Sequence, residues 1–219
     1  MKVKDFFKGI VVGRHGNVIY YERNGELCVR RYAIPGKKRK RDTEGPTPKQ
    51  REAMARFAAV QRFYREYAKQ VSADAWKLAG VAREMSAVNL FHSLNCACFN
   101  GQGEMVDFEK LRFSEGVLDL PREIKVEWEG NRCVVTWSEE RDWSSAARMD
   151  VMRVGLLYDD RVRSPRLALD VTGCRGDLRG EFTLDGSIGR SAHVYIFFER
   201  VDHGAFSPSQ YARVIPITF

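Results

Sequence analysis

The chain has 219 residues, of which 44% are hydrophobic and 11% aromatic, and a formal net charge of +7. This composition excludes an intrinsically disordered protein and fits one large domain or two small ones. No apolar run approaches the ~18 residues that cross a bilayer, and the first residues lack the apolar stretch and cleavage site of a secretory signal. We therefore expect neither a membrane-spanning segment nor a secreted protein.

Cysteine usage bears on the cellular compartment. The five cysteines are odd in number and scattered along the chain. This pattern favours free thiols in a reducing compartment, so we expect a cytoplasmic protein, or one assembled in the cytoplasm into a particle. A bridge between Cys133 and Cys174 is the alternative for an oxidising compartment.

Residues 1–34 are predicted to form an N-terminal β segment. Two runs rich in β-branched and aromatic residues flank Asn24-Gly25, the strongest short signal for a hairpin, because both residues tolerate the positive φ of a type I′ turn. A second turn is predicted at residues 13–17. The glycines Gly9, Gly13 and Gly16 fit neither the dinucleotide fingerprint nor the P-loop. Such a hairpin is too small to be stable alone, so it must dock on the rest of the chain or on another subunit.

Residues 35–46 are predicted to form a basic linker. Its five consecutive basic residues, called the basic tract below, supply five of the seven net positive charges and leave +2 for the rest of the chain. The tract is interpreted as a solvated connector, as an arm that neutralises nucleic-acid phosphates, or as a nuclear-import signal. The candidate nucleic-acid residues are Lys37, Lys38, Arg39, Lys40 and Arg41.

Residues 47–104 are predicted to contain about three helices. Thr47 can cap the first, Pro48 suits its first position, and Gln50 can close a capping box. Its apolar face is predicted to run through Met54 and Phe57, with the basic residues around the other sides. These basic residues are interpreted either as a solvated face or as a second phosphate-binding surface: Arg51, Arg56, Arg62, Arg65 and Lys69.

Two shorter helices are predicted to follow. One spans about residues 72–84 with Trp76, Ala79 and either Val81 or Ala82 facing inward, and Ser86 caps the other, which should end at Asn100-Gly101. On that last helix, His92, Cys96 and Cys98 suggest a metal site. Cys98 points away from the other two, however, and no second ligand pair follows, so we expect no metal.

Residues 105–219 are predicted to form a β-sandwich. Seven short candidate strands lie between turns that contain Gly, Pro or Asp, and the first two alternate apolar with polar residues, which is typical of two packed antiparallel sheets. The predicted strands are residues 124–128, 133–137, 151–158, 166–171, 179–184, 193–199 and 211–218. The fold class is therefore α+β, with an N-terminal β-hairpin segment, a helical section and a C-terminal sandwich.

Three segments of the C-terminal part carry a resemblance to a known fold. Residues 124–138 resemble the opening strand pair of a fibronectin type III-like or immunoglobulin-like sandwich, residues 193–198 its long penultimate strand, and residues 207–211 the entry to its last strand. The whole chain also resembles a family of uncharacterised bacterial proteins. That family joins a GxxGNVxxY hairpin, a TPxQ helix and a sandwich ending in SxSQY, here residues 13–21, 47–57 and 193–211. The resemblance implies this architecture and no activity.

No catalytic constellation is recognisable in the sequence. The carboxylates considered, Asp159-Asp160, Glu139-Glu140 and Asp142, lie near turns, the histidines are isolated, and no Gly-x-Ser-x-Gly elbow is present. We therefore expect a non-enzymatic structural or interaction protein without a cofactor, with a subunit of a phage-type or mobile-element assembly as the specific candidate. Its partners would be other protein subunits, including copies of itself bound through the N-terminal hairpin. The alternative is a nucleic-acid-binding protein that uses the basic tract.

Overall fold

A computed structural model of the chain describes residues 12–23, 25–33, 45–129, 132–140, 143–184 and 191–215. The chain divides into an N-terminal unit, Met1–Pro46, and a C-terminal unit, Thr47–Phe219. The boundary falls immediately before the helix that Thr47 caps. The basic tract at residues 37–41 lies outside the described residues.

The N-terminal unit contains an antiparallel sheet of three strands in the order β1-β2-β3. Both connections are two-residue loops, and Gly16 and Gly25 take the positive φ values of 60° and 76° that such tight turns require. The predicted hairpin is confirmed, although Asn24 itself lies outside the described residues. Upstream of it the structure adds a strand that the sequence analysis missed, because three residues are too few to show alternation. The strands are β1 Gly13–His15, β2 Val18–Arg23 and β3 Glu26–Arg31.

The first helix of the C-terminal unit is α1, Pro48–Gln70, and its predicted capping box is confirmed. The Gln50 amide donates to Thr47 Oγ1 at 3.3 Å, and the Thr47 amide donates to Gln50 Oε1 at 2.8 Å. The predicted apolar face was wrong in its first half, since Met54 is 62% and Phe57 53% exposed. Burial begins only at Ala59. The residues buried are Ala59, Val60, Phe63, Tyr64 and Tyr67.

Two shorter helices, α2 (Asp74–Ala82) and α3 (Ala87–Asn95), complete the helical layer. Trp76 and Ala79 are buried as predicted, but both candidates for the third inward residue were wrong. Val81 is 79% exposed and Ala82 is exposed as well, because Gly80 completes the inner face. The Ser86 cap is confirmed by its side chain, which accepts from the Asn89 amide. The third helix ends earlier than predicted, and a single 3-10 turn follows at Cys96–Cys98.

Eight strands in the described part of the C-terminal unit form two antiparallel sheets, with a short helix, α4 (Ser145–Arg148), between β5 and β6. The central sheet has the order β11-β10-β6-β7 and the outer sheet β4-β5-β9-β8. Seven strands were predicted; the chain crosses between the sheets at Ala168, so the predicted strand 166–171 is two strands. The strands are β4 Lys125–Glu129, β5 Arg132–Thr136, β6 Val151–Tyr158, β7 Arg166–Leu167, β8 Leu169–Thr172, β9 Arg179–Thr183, β10 Ala192–Glu199 and β11 Gln210–Val214.

The central sheet is the middle of three layers, and β10 is buried along its whole length. Because side chains alternate along a strand, one set from β10 packs against the outer sheet and the other against the helices. Val194, Ile196 and Phe198 share a core with Cys133 and Phe182 of the outer sheet. Tyr195 and Phe197 belong to a second core with Phe63, Trp76 and Phe91 of the helices. The fold is therefore mixed α+β, with helices against one face of a pair of packed sheets.

Candidate nucleic-acid interface

The net charge of the protein lies entirely in its N-terminal unit. Residues 1–46 hold 12 of the 36 lysines and arginines and 5 of the 29 aspartates and glutamates, which makes this unit +7. The C-terminal unit holds the other 24 basic and 24 acidic residues and is neutral. A positive potential confined to about a fifth of the chain favours binding of a polyanion there.

The strand register assigns each residue of the N-terminal sheet to one of two faces. Tyr21 pairs with Cys28 and Ile19 with Arg30, so these four side chains share a face. Arg14 is on the same face because it pairs with Ile19. This basic face therefore combines arginines with tyrosines. Its members are Arg14, Ile19, Tyr21, Arg23, Glu26, Cys28, Arg30 and Tyr32.

Arginine and tyrosine side chains contact each other on the basic face. The Arg14 guanidinium carbon lies 3.6 Å from the centroid of the Tyr32 ring, and Arg14 Nε donates to the carbonyl oxygen of Gly16 at 3.1 Å. The Arg30 guanidinium carbon lies 5.8 Å from the centroid of Tyr21. Both distances are those of cation–π contacts, which orient a guanidinium and leave its edge free to donate. Arg14 and Arg30 are both exposed.

The opposite face of the N-terminal sheet is apolar in its centre. Tyr20 pairs with Val29, and Glu22 pairs with Leu27, while Val18 pairs with Arg31 at the other end. None of the described residues of this sheet is fully buried. We call this the apolar face: Val18, Tyr20, Leu27 and Val29, with Glu22 at one end and Arg31 at the other.

The chemistry of the basic face matches nucleic acid. Guanidinium groups bind phosphates through paired N–H donors, and tyrosine rings stack on unpaired bases regardless of sequence. The five residues predicted as the nucleic-acid site lie outside the described residues, in the same unit. Sequence reasoning overlooked the sheet residues, although the two-residue loop at Asn24-Gly25 determines which side chains share a face.

Of the residues considered for a metal site, His92 and Cys96 lie one helical turn apart at the end of α3, where the Cys96 amide donates to the His92 carbonyl oxygen. The His92 ring lies 4.8 Å from the ring of Phe57, centroid to centroid, and Cys98 is buried in the helical core. Burial, with Asp107 nearby, raises the pKa of the Cys98 thiol to about 11. Within the described ranges, no three His, Cys, Asp or Glu side chains are grouped as metal ligands. Cys133 and Cys174, considered for a disulfide, are free thiols.

A network around the buried His193 joins the end of β6 to β10 and β11. His193 Nδ1 lies 2.9 Å from the hydroxyl of Tyr211, and His193 Nε2 lies 3.1 Å from Asp159 Oδ1. The His193 ring stacks on Phe108 with centroids 3.8 Å apart. Burial, and then the neighbouring Arg213 cation, lower the pKa of His193. These contacts hold neighbouring strands of the C-terminal unit together.

Comparison of the chain with protein-family models, with curated proteins and with solved structures finds no match. The resemblance described from the sequence motifs therefore stays a prediction. Among the described helices, none combines the length and the apolar character needed to cross a membrane.

Proposed function

We propose that the protein is a non-enzymatic interaction protein whose N-terminal unit binds nucleic acid. The observation that carries this proposal is that the unit which holds the whole net charge also carries a sheet face that combines arginines with tyrosines. The basic tract, which belongs to the same unit, would add five phosphate contacts. The C-terminal unit, which has no net charge, would then contact partners other than nucleic acid.

Single-stranded nucleic acid is the form that the basic face fits. Tyr21 and Tyr32 can stack only on bases that are not paired with a second strand, and Arg14 and Arg30 beside them can reach the backbone phosphates. Affinity should depend steeply on salt, because phosphate neutralisation releases bound counterions.

The experiment is fluorescence anisotropy of the full chain with a labelled single-stranded oligonucleotide over a series of salt concentrations. Replacing Arg30 by Gln should lower the slope of log K against log[salt] by about 0.7, the value for one phosphate contact on a single strand. Replacing Tyr21 by Leu should weaken binding by about 1–3 kcal/mol while leaving that slope unchanged. Neutralising all five residues of the basic tract should lower the slope further.

The matched control is Arg31→Gln, which removes the same charge one residue away on the apolar face. Equal effects of Arg30→Gln and Arg31→Gln would show that net charge alone acts and would refute the role of the face. An absence of binding at low salt would refute the nucleic-acid function altogether.

A second candidate function, a subunit that assembles with copies of itself, is favoured by the apolar face. A sheet of three strands needs cover on a hydrophobic face to be stable. Glu22 and Arg31 lie at opposite ends of this face, so two copies related by a twofold axis can pair each glutamate with the partner's arginine. A phage-type or mobile-element particle is the kind of assembly that such contacts would build.

Light scattering at increasing protein concentration tests the assembly. The wild type should form dimers or larger species, and Val29→Asp should be monomeric because it places a carboxylate in the centre of the face. Cys28→Asp is the control on the other face. A wild type that is monomeric at all concentrations would refute self-assembly.

For the two packed sheets we propose an immunoglobulin-like or fibronectin type III-like sandwich. The support is the strand order: with β4–β11 lettered in sequence as A, B, C, C′, D, E, F and G, the sheets read A-B-E-D and G-F-C-C′. A cytoplasmic location is likewise proposed, on the odd number and scattered positions of the cysteines.

A further inference from the structure

A groove of about 560 Å³ opens on the C-terminal unit between α1 and two loops, and its size is in the range of small-molecule sites. Its lining divides into an apolar interior and charged side chains. The interior is formed by Ala59, Phe63, Phe99, Met105, Val106 and Val162. The charged residues are Arg62, Arg65, Glu66, Glu104 and Arg163.

The first loop wall, residues 99–106, is held by an internal network around Asn100. The Asn100 side-chain oxygen accepts from the amides of Gln102 at 3.0 Å and Glu104 at 2.8 Å, and its Nδ2 donates to Glu104 Oε2 at 3.1 Å. Gly103 packs on α1 at a φ of +80°, where an added Cβ would lie 3.2 Å from Ala59 Cβ. This wall is therefore formed before any ligand arrives.

The second loop wall carries Val162 and Arg163 and is tied to α1 through Gln70. Gln70 Nε2 donates to Glu66 Oε2 at 3.0 Å, and Gln70 Oε1 accepts from Ser164 Oγ at 2.8 Å. The chain Glu66–Gln70–Ser164 thus holds the loop against the last turns of α1. In this chain the carboxylate of Glu66, one of the two that line the groove, accepts a hydrogen bond from Gln70.

The charged side chains give the groove a net positive charge of one. Its three arginines are exposed, and neither Arg62 nor Arg163 forms an ion pair with another residue of the described ranges. Glu66 and Glu104 each accept a hydrogen bond from a neighbouring amide side chain. Arg62 and Arg163 are therefore left as donors to an external anion, and the two carboxylates lower the net positive charge that this anion meets.

We propose that this groove binds an amphiphilic monoanion, an aliphatic carboxylate whose tail lies on the apolar interior and whose head is bound by Arg62 and Arg163. The single net charge favours one carboxylate over a polyphosphate. The site belongs to the neutral C-terminal unit and is independent of the nucleic-acid proposal.

Isothermal titration calorimetry of the full chain with decanoate, below its micellar concentration, tests the site. Wild-type protein should bind decanoate with one-to-one stoichiometry, and amide signals of Gly103 and Met105 should shift in NMR spectra. Arg163→Gln should weaken binding about tenfold, the effect of losing one charge-assisted contact. Val106→Asp, at an exposed position of the lining, should weaken it at least as much.

A control variant, a cationic analogue and competition by inorganic phosphate test whether the binding is specific. Arg161→Gln removes a guanidinium from the same loop but not from the groove, and should leave binding unchanged. Decyltrimethylammonium has the same tail and the opposite charge, and should bind at least tenfold more weakly. Equal binding of that cation, competition by inorganic phosphate at equal concentration, or an unchanged Arg163→Gln variant would each overturn the proposal. So would the absence of decanoate binding.

Discussion

Arg175 and Asp150 form an ion pair inside the C-terminal unit, with Arg175 Nη2 3.1 Å from Asp150 Oδ2 and 2% of each side chain exposed. Arg175 Nη1 also donates to the carbonyl oxygen of Asp119 at 2.7 Å, and the guanidinium carbon lies 4.9 Å from the ring centroid of Phe198. Burial raises the pKa of Asp150 even though Arg175 opposes the shift. The two charges are therefore paired in a buried environment, where either charge alone would be costly in free energy.

We expect Arg175→Met to lower the free energy of unfolding by about 3–5 kcal/mol at pH 7, because it leaves a buried carboxylate without its cation. The deficit should shrink as the pH falls. A carboxyl whose folded pKa is raised lowers stability once it ionises, and acid restores its neutral form. Urea unfolding at pH 7 and pH 5 measures both effects.

The control for this prediction is the double variant Arg175→Met with Asp150→Asn, which should recover part of the stability at pH 7. A deficit that is the same at both pH values, or a double variant less stable than Arg175→Met, would contradict the argument.

Gly155 of β6 lies directly against the ring of Phe113, and a Cβ at this position would overlap that ring. We expect Gly155→Ala to cost about 1–3 kcal/mol in the free energy of unfolding, as overpacking of a core does. Combining it with Phe113→Leu should cost less than the sum of the two single changes. Additive costs in this double-mutant cycle would show that the two residues do not compete for space.

His193 should titrate below the usual histidine pKa of ~6.5, because burial and Arg213 both disfavour its charged form. For such a base, stability is fully present above the unfolded pKa and is lost as the pH falls through ~6.5 toward the folded value. NMR titration of the ring protons gives the pKa, and thermal unfolding between pH 7.5 and 5.5 gives the stability. His193→Gln should make the stability depend less on pH over this range. A His193 pKa above ~6.5 would contradict the prediction.

Cys133 is fully buried in the core between the two sheets, and burial raises the pKa of its thiol to about 12. Only the thiolate reacts readily, so native protein at pH 8 should leave Cys133 unmodified by a disulfide reagent. Cys28 and Cys96 are partly exposed and should be modified first. Mass spectrometry of the labelled protein with and without denaturant checks the order.

Local signals accounted for much of the secondary structure. The Asn24-Gly25 turn, the Thr47 capping box and the Ser86 cap all act within a few residues, so the sequence predicts them directly. The segments 151–158 and 193–199, which lie between turns, were likewise predicted as strands and are β6 and β10. The short strand β1 and the split at Ala168 were missed, because neither is long enough to show a period.

The candidate sites were harder to predict, since they join residues that are distant in the chain. Only the strand register places Arg14 with Tyr32, and only packing of the loops on α1 brings Arg163 to the groove that Arg62 also lines. The sequence predicted the basic tract instead, because a run of like charges is visible without a structure.

The sequence by itself determined the amount of net charge, the turns and the helix caps, because these depend on composition and on neighbours a few residues apart. The tertiary structure decided which helical residues are buried, as the exposure of Met54 and Phe57 shows. It also decided that β10 is covered on both faces, by helices on one side and by the outer sheet on the other. Burial is a property of what packs against a residue, and that partner comes from another part of the chain.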